Sequence, residues 1–314
     1  MQRIGSFLSL FRWHNLIMVA LTQYLFRYCI IWPVFRHNDL EMPLSSFHFF
    51  LLVLATVLIS AAGYAINDYF DIRIDRINRP SRVIVGRLIS RRTAILTHWI
   101  LTTVGVLLGV YLSWHIRYWP LALIFLATPM LLWLYSMRFK KNFLTGNITV
   151  AVLSGLVVAL VWLVEYRAAL MQIAVPPDVM RINFFVQFYA FFAFIMNLGR
   201  EIAKDMEDFA GDAKTGCRSL PIVLGPDKTR KIILAIMFVV VIGMLLYFVR
   251  LGMAGRFALL SYFAFFVLIP IVAVMLYIRK AFDPFDFKVI QTALKFIMLA
   301  GVLSMVVQYF FINL

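Results

Sequence analysis

The sequence is poor in the residues that build disulfides and zinc sites. It has two cysteines, Cys29 in an apolar run and Cys217 in a polar loop, and this placement excludes a structural disulfide between them. The five histidines are scattered and show none of the spacings typical of metal ligands. These absences argue against a disulfide-stabilised domain and against a zinc centre.

Charged residues are also scarce, at 14% of the chain, and the 15 acids are outnumbered by 30 Lys and Arg. A net charge of +15 is compatible with nucleic-acid binding, but no zinc-ligand pattern and no RNP-like motif accompanies it. In an apolar chain, excess Lys and Arg more often record membrane topology and contact with anionic lipids. We therefore expect a lipid bilayer as the partner, no nucleic acid and no obligate protein partner.

Apolar residues are abundant: they make up 63% of the chain, against roughly half in soluble proteins, and the mean hydropathy is +0.89. Nine runs approach the ~20 residues that span a bilayer as a helix. The runs lie near residues 15–34, 46–66, 93–114, 118–137, 147–164, 183–199, 232–249, 257–278 and 289–312. The sequence predicts an all-α, multi-pass membrane protein with nine transmembrane helices, in which Trp114–Trp119 forms an aromatic turn. One domain over residues 1–314 and no removable signal peptide are expected.

Basic residues divide unequally between the two sides of these nine runs. With the N-terminus in the cytoplasm, 22 of the 30 Lys and Arg face the cytoplasm. The positive-inside rule then predicts a cytoplasmic N-terminus and an external C-terminus. In a bacterium, the protein would lie in the inner membrane.

Acidic residues cluster at two places, and the first follows the second apolar run. Asp68, Asp71 and Asp75 are three and four residues apart, which places their carboxylates on one face of a helix. Asn67 adds an amide oxygen one turn before Asp71. Mutual repulsion makes such a face costly unless it binds a cation. The alternative is a solvated helix end, where Asn and Asp serve as caps.

The second acidic cluster follows the sixth apolar run. Glu201, Asp205, Asp208 and Asp212 are spaced by four, three and four residues, so one continuous helix would align them. Gly211 weakens such a helix, and a turn at Asp212 is the alternative.

Both clusters follow even-numbered runs, so they emerge on the same side of the membrane. Their oxygen ligands suit Mg²⁺, which binds a few carboxylates together with substrate phosphates. Such a site at the head of an apolar bundle favours a substrate with a diphosphate head and an apolar tail. Basic residues near the clusters would neutralise the phosphates: Arg79, Arg82, Lys140, Lys141, Arg200 and Lys204.

These motifs resemble those of the UbiA superfamily of intramembrane prenyltransferases. The family's NDxxDxxxD motif with its basic-Pro element is matched by Asn67, Asp68, Asp71, Asp75, Arg79 and Pro80. Its second motif is matched by Asp205, Asp208 and Asp212, and the segments 135–147 and 214–221 are also similar. One departure is His14, where many members have proline.

The resemblance implies nine helices around a central cavity, in which two Mg²⁺ ions hold a prenyl diphosphate between the motifs. Asp71 and Asp208 would be the catalytic acids. The metal-binding set would be Asn67, Asp68, Asp71, Asp75, Asp205, Asp208 and Asp212. The diphosphate-binding set would be Asn15, Arg79, Arg82, Tyr135, Lys140, Lys141, Arg200 and Lys204.

The acceptor of the prenyl group is less constrained. Segments 78–86 and 200–205 look closest to geranylgeranylglycerol-phosphate geranylgeranyltransferase-like members, which alkylate a glycerol-phosphate lipid. Aromatic acceptors for quinone synthesis remain the alternative. A CDP-alcohol phosphotransferase would need its acids in one compact pattern. A divalent cation transporter would need carboxylates inside the spans, where the sequence predicts none.

Overall fold

The computed structural model of the chain describes residues 2–78, 83–173 and 175–312. Within these ranges, nine helices are long and apolar enough to cross a membrane, and we number them as spans one to nine. They are Trp13–His37, Ser46–Ile77, Arg91–His115, Pro120–Met137, Thr145–Ala169, Pro177–Glu207, Pro226–Met253, Phe257–Ile278 and Pro284–Phe311. The prediction of an all-α, multi-pass membrane protein is confirmed.

The helices extend beyond the apolar runs that predict them. The helix of span two runs from Ser46 to Asn78 and therefore carries the whole first acidic motif. The turn predicted between spans three and four is present, since one helix ends at His115 and the next begins at Pro120. Proline suits a first helical position because that position needs no backbone N–H donor.

One carboxylate lies inside a span against expectation. Span five continues to Ala169, and Glu165 near its end is fully buried. Its Oε2 accepts a hydrogen bond from the backbone N–H of Leu44, 3.2 Å away, just before span two begins. The apolar run underestimates this helix because it stops at the first acid.

The chain divides into two compact units, each built from segments that are separate in sequence. Unit 1 comprises Met1–Tyr24, Met42–Lys140 and Leu160–Val175. Unit 2 comprises Leu25–Glu41, Lys141–Ala159 and Pro176–Leu314. The first acidic motif belongs to unit 1 and the second to unit 2. The single domain over residues 1–314 stays a prediction.

Each unit has its own hydrophobic packing. In unit 1, Leu10 at the end of the amino-terminal helix Gln2–Leu10 packs in a buried cluster with Ile72 and Val85. This cluster anchors the amino-terminal segment on the helix of the first motif. In unit 2, a larger buried cluster draws on spans six to nine, with Met237 and Leu294 among its fully buried members. Membrane helices associate through such close packing, since lipid offers little hydrophobic gain.

Span three approaches its neighbours through two glycines one turn apart. A Cβ atom on Gly105 would lie 2.7 Å from Cγ1 of Ile59, and one on Gly109 would lie 2.1 Å from Cγ of Phe125. Cγ of Phe125 lies close to the backbone, so the ring cannot move away cheaply. Small residues at this spacing are typical of close contacts between membrane helices.

We predict that Gly109→Ala destabilises the protein by about 2 kcal/mol, because the added methyl overpacks the contact with Phe125. Thermal unfolding in detergent measures this loss. Gly243→Ala is the matched control. Gly243 also lies inside a membrane-spanning helix, but a Cβ atom there would have no neighbour within 4 Å among the described residues. Equal melting temperatures for the two variants would contradict the packing argument.

Candidate functional site

The first acidic motif occupies one face at the end of the helix Ser46–Asn78, as its spacing predicts. Asp71 is its most enclosed acid, with 3% of the residue exposed. Asn67, one turn earlier, donates from Nδ2 to Oδ2 of Asp71 at 2.7 Å. Lys140 donates from Nζ to the same carboxylate oxygen. Asp71 is thus held by an amide and an ammonium group.

This arrangement follows from the cost of burying a carboxylate, which is high unless the charge is paired and hydrogen-bonded. Lys140 lies in the short 3-10 turn Phe139–Lys141 directly after span four. Burial alone would lower the pKa of Lys140, but the charge of Asp71 outweighs that effect and raises the pKa. The ammonium group therefore stays protonated beside Asp71.

The side chain of Asn67 is only half used by this network. While its Nδ2 binds Asp71, its Oδ1 is buried and has no hydrogen-bond partner among the described residues. A buried carbonyl oxygen without a donor is costly, and a cation would satisfy it. The donor chemistry around Asn67 and Asp71 therefore fits a hard cation with oxygen ligands.

A second cation of unit 1 comes from the segment before span one. Nη2 of Arg12 donates to Oδ1 of Asp68 at 3.0 Å, and its guanidinium lies 5.0 Å above the ring of Tyr64. Nδ2 of Asn15 donates to the hydroxyl of Tyr64 at 3.2 Å. Arg12 and Asn15 therefore contact the helix of the first motif at Asp68 and, one turn earlier, at Tyr64.

The remaining predicted residues of unit 1 are placed as follows. Asp75 is half-buried one turn beyond Asp71 on the same helix. Tyr135 interacts electrostatically with both Arg12 and Lys140, so it lies near the cations of this site. Arg79 and Arg82 lie outside the described residues.

The second acidic motif does not lie on one continuous helix, contrary to the prediction. The helix Ile182–Glu207 ends just before Asp208, and a separate short helix, Phe209–Thr215, carries Asp212. Asp208 joins them: its N–H donates to the carbonyl of Lys204, and its own carbonyl accepts from Asp212 N–H, both at 3.0 Å. The alternative of a turn at Asp212 is also wrong.

Two physical features account for this break. Asp208 takes φ −87° and ψ 2°, outside the regular helix, and aspartate has a weak preference for helix interiors. Gly216, at φ +72°, then ends the short helix in the left-handed conformation that glycine tolerates. Regular spacing of acids therefore overestimates the length of this helix.

Asp205 is held by a hydrogen bond from a neighbouring helix. Asn147 donates from Nδ2 to Oδ2 of Asp205 at 2.8 Å. Asn147 is itself buried in the first turn of span five. The contact parallels the one between Asn67 and Asp71 in unit 1, with an amide donor fixing a carboxylate.

Two of the basic residues predicted to bind diphosphate in unit 2, Arg200 and Lys204, contact Glu201. Glu201 is buried, Arg200 donates to its Oε1, and Nζ of Lys204 lies 3.9 Å from its Oε2. Nε of Arg200 also donates to Oδ1 of Asn197 at 2.9 Å. Glu201 is therefore the counter-ion of Arg200 and Lys204 rather than another member of an acid face.

Lys141 is exposed and belongs to unit 2. In the described ranges, no three His, Cys, Asp or Glu side chains converge closely enough to hold a metal as they stand. In unit 1, Arg12 and Lys140 occupy two of the acids. The prediction that the two motifs share one metal site stays a prediction.

Sequence reasoning missed Arg12, Tyr64 and Asn147. Arg12 lies in the turn before span one and Asn15 in its first turn, so no helical spacing links them in the sequence. Nothing in the sequence identifies Tyr64 as their partner, since it lies within an apolar run. The sequence draws attention to Asn147 only because the segment that contains it, 135–147, resembles the family's loop after helix four.

A sequence model of the UbiA prenyltransferase family matches residues 39–300. The match covers both acidic motifs and well over half of the chain. The chain belongs to the UbiA prenyltransferase family. The resemblance expected from the motifs is thereby confirmed.

Relatives and solved structures agree with this assignment. A digeranylgeranylglyceryl phosphate synthase from Methanothermobacter thermautotrophicus is 38% identical over 183 residues, which is 57% of this chain and 57% of that protein. The match thus spans less than two thirds of that relative.

Two UbiA homologues of known structure have the same fold. The homologue from Aeropyrum pernix, solved in an apo state, has a TM-score of 0.60 at 18% identity and covers 95% of this chain and 97% of its own. The homologue from Archaeoglobus fulgidus, bound to DMAPP and Mg²⁺, has a TM-score of 0.53 at 17% identity and covers 96% and 99%. At these identities the likeness shows the UbiA fold.

We predict that Lys140→Gln destabilises the protein by about 2 kcal/mol in metal-free detergent solution, because it removes the ion-pair partner of the buried Asp71 carboxylate. Thermal unfolding measures the loss. Lys141→Gln, at the exposed next position, is the matched control and should unfold near the wild-type temperature. A Lys140 variant as stable as the wild type would show that the ion pair contributes nothing.

Proposed function

We propose that this UbiA-family protein is a Mg²⁺-dependent prenyltransferase that cleaves a polyprenyl diphosphate and transfers the prenyl group to a lipophilic acceptor. The observation that carries the proposal is the network around Asp71. A buried carboxylate, an amide with a spare oxygen and a protonated amine meet at the end of a membrane-spanning helix. These groups can bind both a metal ion and a phosphate.

The metal would be held by oxygen atoms of both acidic motifs. Asn67, Asp68, Asp71 and Asp75 supply ligands in unit 1, and Asp205, Asp208 and Asp212 supply them in unit 2; two ions are proposed. When bound, Mg²⁺ would stabilise the negative charge that develops on the leaving diphosphate. The Archaeoglobus fulgidus homologue bound to DMAPP and Mg²⁺ supports this choice of metal.

The basic and polar residues would orient the donor. Lys140 would exchange its ion pair with Asp71 for one with the diphosphate. Tyr135 and Asn15 would contribute from the same end of unit 1. Arg200 and Lys204, fixed by Glu201, would contribute from unit 2. Arg79, Arg82 and Lys141 complete the proposed set on grounds of sequence. Positive groups placed where charge develops are the largest single contribution in many enzymes.

The reaction breaks the bond between C1 of the prenyl chain and the diphosphate oxygen, and diphosphate leaves with the electron pair. The allylic cation so formed would be sheltered by aromatic walls. A hydroxyl oxygen of the acceptor then bonds to C1 and loses its proton to the diphosphate or to water. A strong catalytic base is unnecessary, because the cation is highly electrophilic.

The acceptor we propose is a glycerol-phosphate prenyl ether, which would make the product a membrane lipid precursor. The similarity to the Methanothermobacter thermautotrophicus digeranylgeranylglyceryl phosphate synthase supports this choice. We further propose that the site faces the cytoplasm, since both motifs follow even-numbered spans in a topology with a cytoplasmic N-terminus.

We predict that Asp71→Asn lowers prenyl transfer at least ~10²-fold, because it removes a metal-binding charge and the partner of Lys140. Release of diphosphate from a labelled prenyl diphosphate in detergent measures the rate. Asp227→Asn is the control: Asp227 is 82% exposed and pairs with Arg230 outside both motifs. Wild-type turnover by the Asp71 variant, or full rate in excess chelator, would contradict the proposed site.

The acceptor is tested by incubating the protein with radiolabelled geranylgeranyl diphosphate and a panel of acceptors. We expect the labelled prenyl group to be transferred to geranylgeranylglyceryl phosphate, and not to aromatic acids or naphthoates. Thin-layer chromatography of the extracted lipids separates the products. Label in an aromatic acceptor alone would overturn the glycerol-lipid assignment while leaving the prenyltransferase assignment intact.

A further inference from the structure

The segment before span one places a cation on the first motif. Arg12 reaches Asp68 from outside the acidic motif, 56 residues earlier in the chain. Its side chain is 39% exposed, whereas that of Asp68 is 12% exposed. The Arg12 side chain therefore binds an enclosed carboxylate while remaining partly exposed itself.

The backbone at Arg12 is held in an unfavourable conformation. Its φ of +50° lies in the left-handed region, which residues with a Cβ rarely adopt. Two residues earlier, fully buried Leu10 packs with Ile72, which lies between Asp71 and Asp75. Strain of this kind persists where the surrounding structure over-determines it, often at ligand sites. The anchor at Leu10 thus fixes Arg12 beside the motif.

Contacts of its side chain also limit where the guanidinium can move. It lies 5.0 Å above the ring of Tyr64, and Asn15 binds the hydroxyl of that tyrosine. Asp68 is one turn beyond Tyr64 on the same helix. The guanidinium can therefore remain stacked on Tyr64 when its bond to Asp68 is broken.

The ion pair between Arg12 and Asp68 involves a carboxylate that is also a proposed metal ligand. Arg12 and Lys140 pair with Asp68 and Asp71, the same carboxylates that are proposed to hold a metal. A divalent cation on these acids removes the attraction that keeps both side chains there. The fork of donors on a guanidinium matches phosphate oxygens closely.

We propose that Arg12 is an additional diphosphate ligand of this enzyme, which Asp68 holds in place until the metal and donor bind. This inference rests on the proposed function and adds to it a residue from outside both acidic motifs. Arg12 competes with the metal for Asp68 in the free protein and assists the donor in the loaded protein.

The variant Arg12→Gln separates these two effects because they have opposite signs. Mg²⁺ should stabilise the variant at a concentration several-fold lower than the wild type requires, as measured by thermal shift without donor. The dissociation constant for geranylgeranyl diphosphate with Mg²⁺ should rise at least ~10-fold. Arg12→Lys, which keeps the charge but loses the fork of donors, should restore only part of the donor affinity.

Arg36→Gln is the matched control, since Arg36 lies 5.2 Å above Trp32 in a similar stacking contact. It should leave both affinities unchanged. Unchanged donor affinity in Arg12→Gln, or a higher Mg²⁺ requirement, would overturn the proposal. Failure of the wild-type protein to bind the donor at all would instead overturn the proposed function.

Chemical modification tests the same exchange in the wild-type protein and needs no folded variant. Phenylglyoxal reacts with accessible guanidinium groups, and mass spectrometry of the peptide containing Arg12 reports the rate. We expect Mg²⁺ alone to speed the reaction at Arg12 and added inorganic diphosphate to slow it. Equal rates in the free, Mg²⁺-bound and Mg²⁺–diphosphate states would contradict the proposal.

Discussion

The buried carboxylate of Asp71 is the constraint on which the first unit depends. A charge at the end of an apolar helix is tolerated only when it is paired and hydrogen-bonded. Asn67 supplies the hydrogen bond and Lys140 the charge. The turn after span four has to stay beside the helix of span two for that reason. Arg12 ties the start of span one to Asp68 in the same way.

In the second unit, acidic side chains are also hydrogen-bonded and paired, but by different residues. An amide, Asn147, holds Asp205, while Glu201 takes the two nearby cations. In both units, therefore, an asparagine fixes an acid and a basic side chain lies within reach. A metal and a diphosphate would replace contacts that already exist, so that binding reorganises charges without exposing bare carboxylates to lipid. The basic side chains would then already lie near the acids when the donor binds.

Most of the fold could be predicted from the sequence, because nine apolar runs of bilayer length leave few alternatives. Helix ends were less predictable: span two continues through its acids, and span five continues to bury Glu165. The acids of the first motif lie on one face as their spacing requires. Those of the second are divided between two helices, since the regular helix ends before Asp208. Long-range partners such as Arg12 with Asp68 depend on tertiary packing, which spacing along the chain does not encode.

We propose that oxygen atoms of both acidic motifs hold divalent metal when a prenyl diphosphate is present. Electron paramagnetic resonance with Mn²⁺, titrated into the protein with a non-cleavable prenyl thiodiphosphate, counts the bound ions directly. We expect two Mn²⁺ per chain in the wild type and a loss of bound metal in both Asp71→Asn and Asp208→Asn. Mn²⁺ binding that is absent from the wild type, or unchanged in both variants, would contradict it.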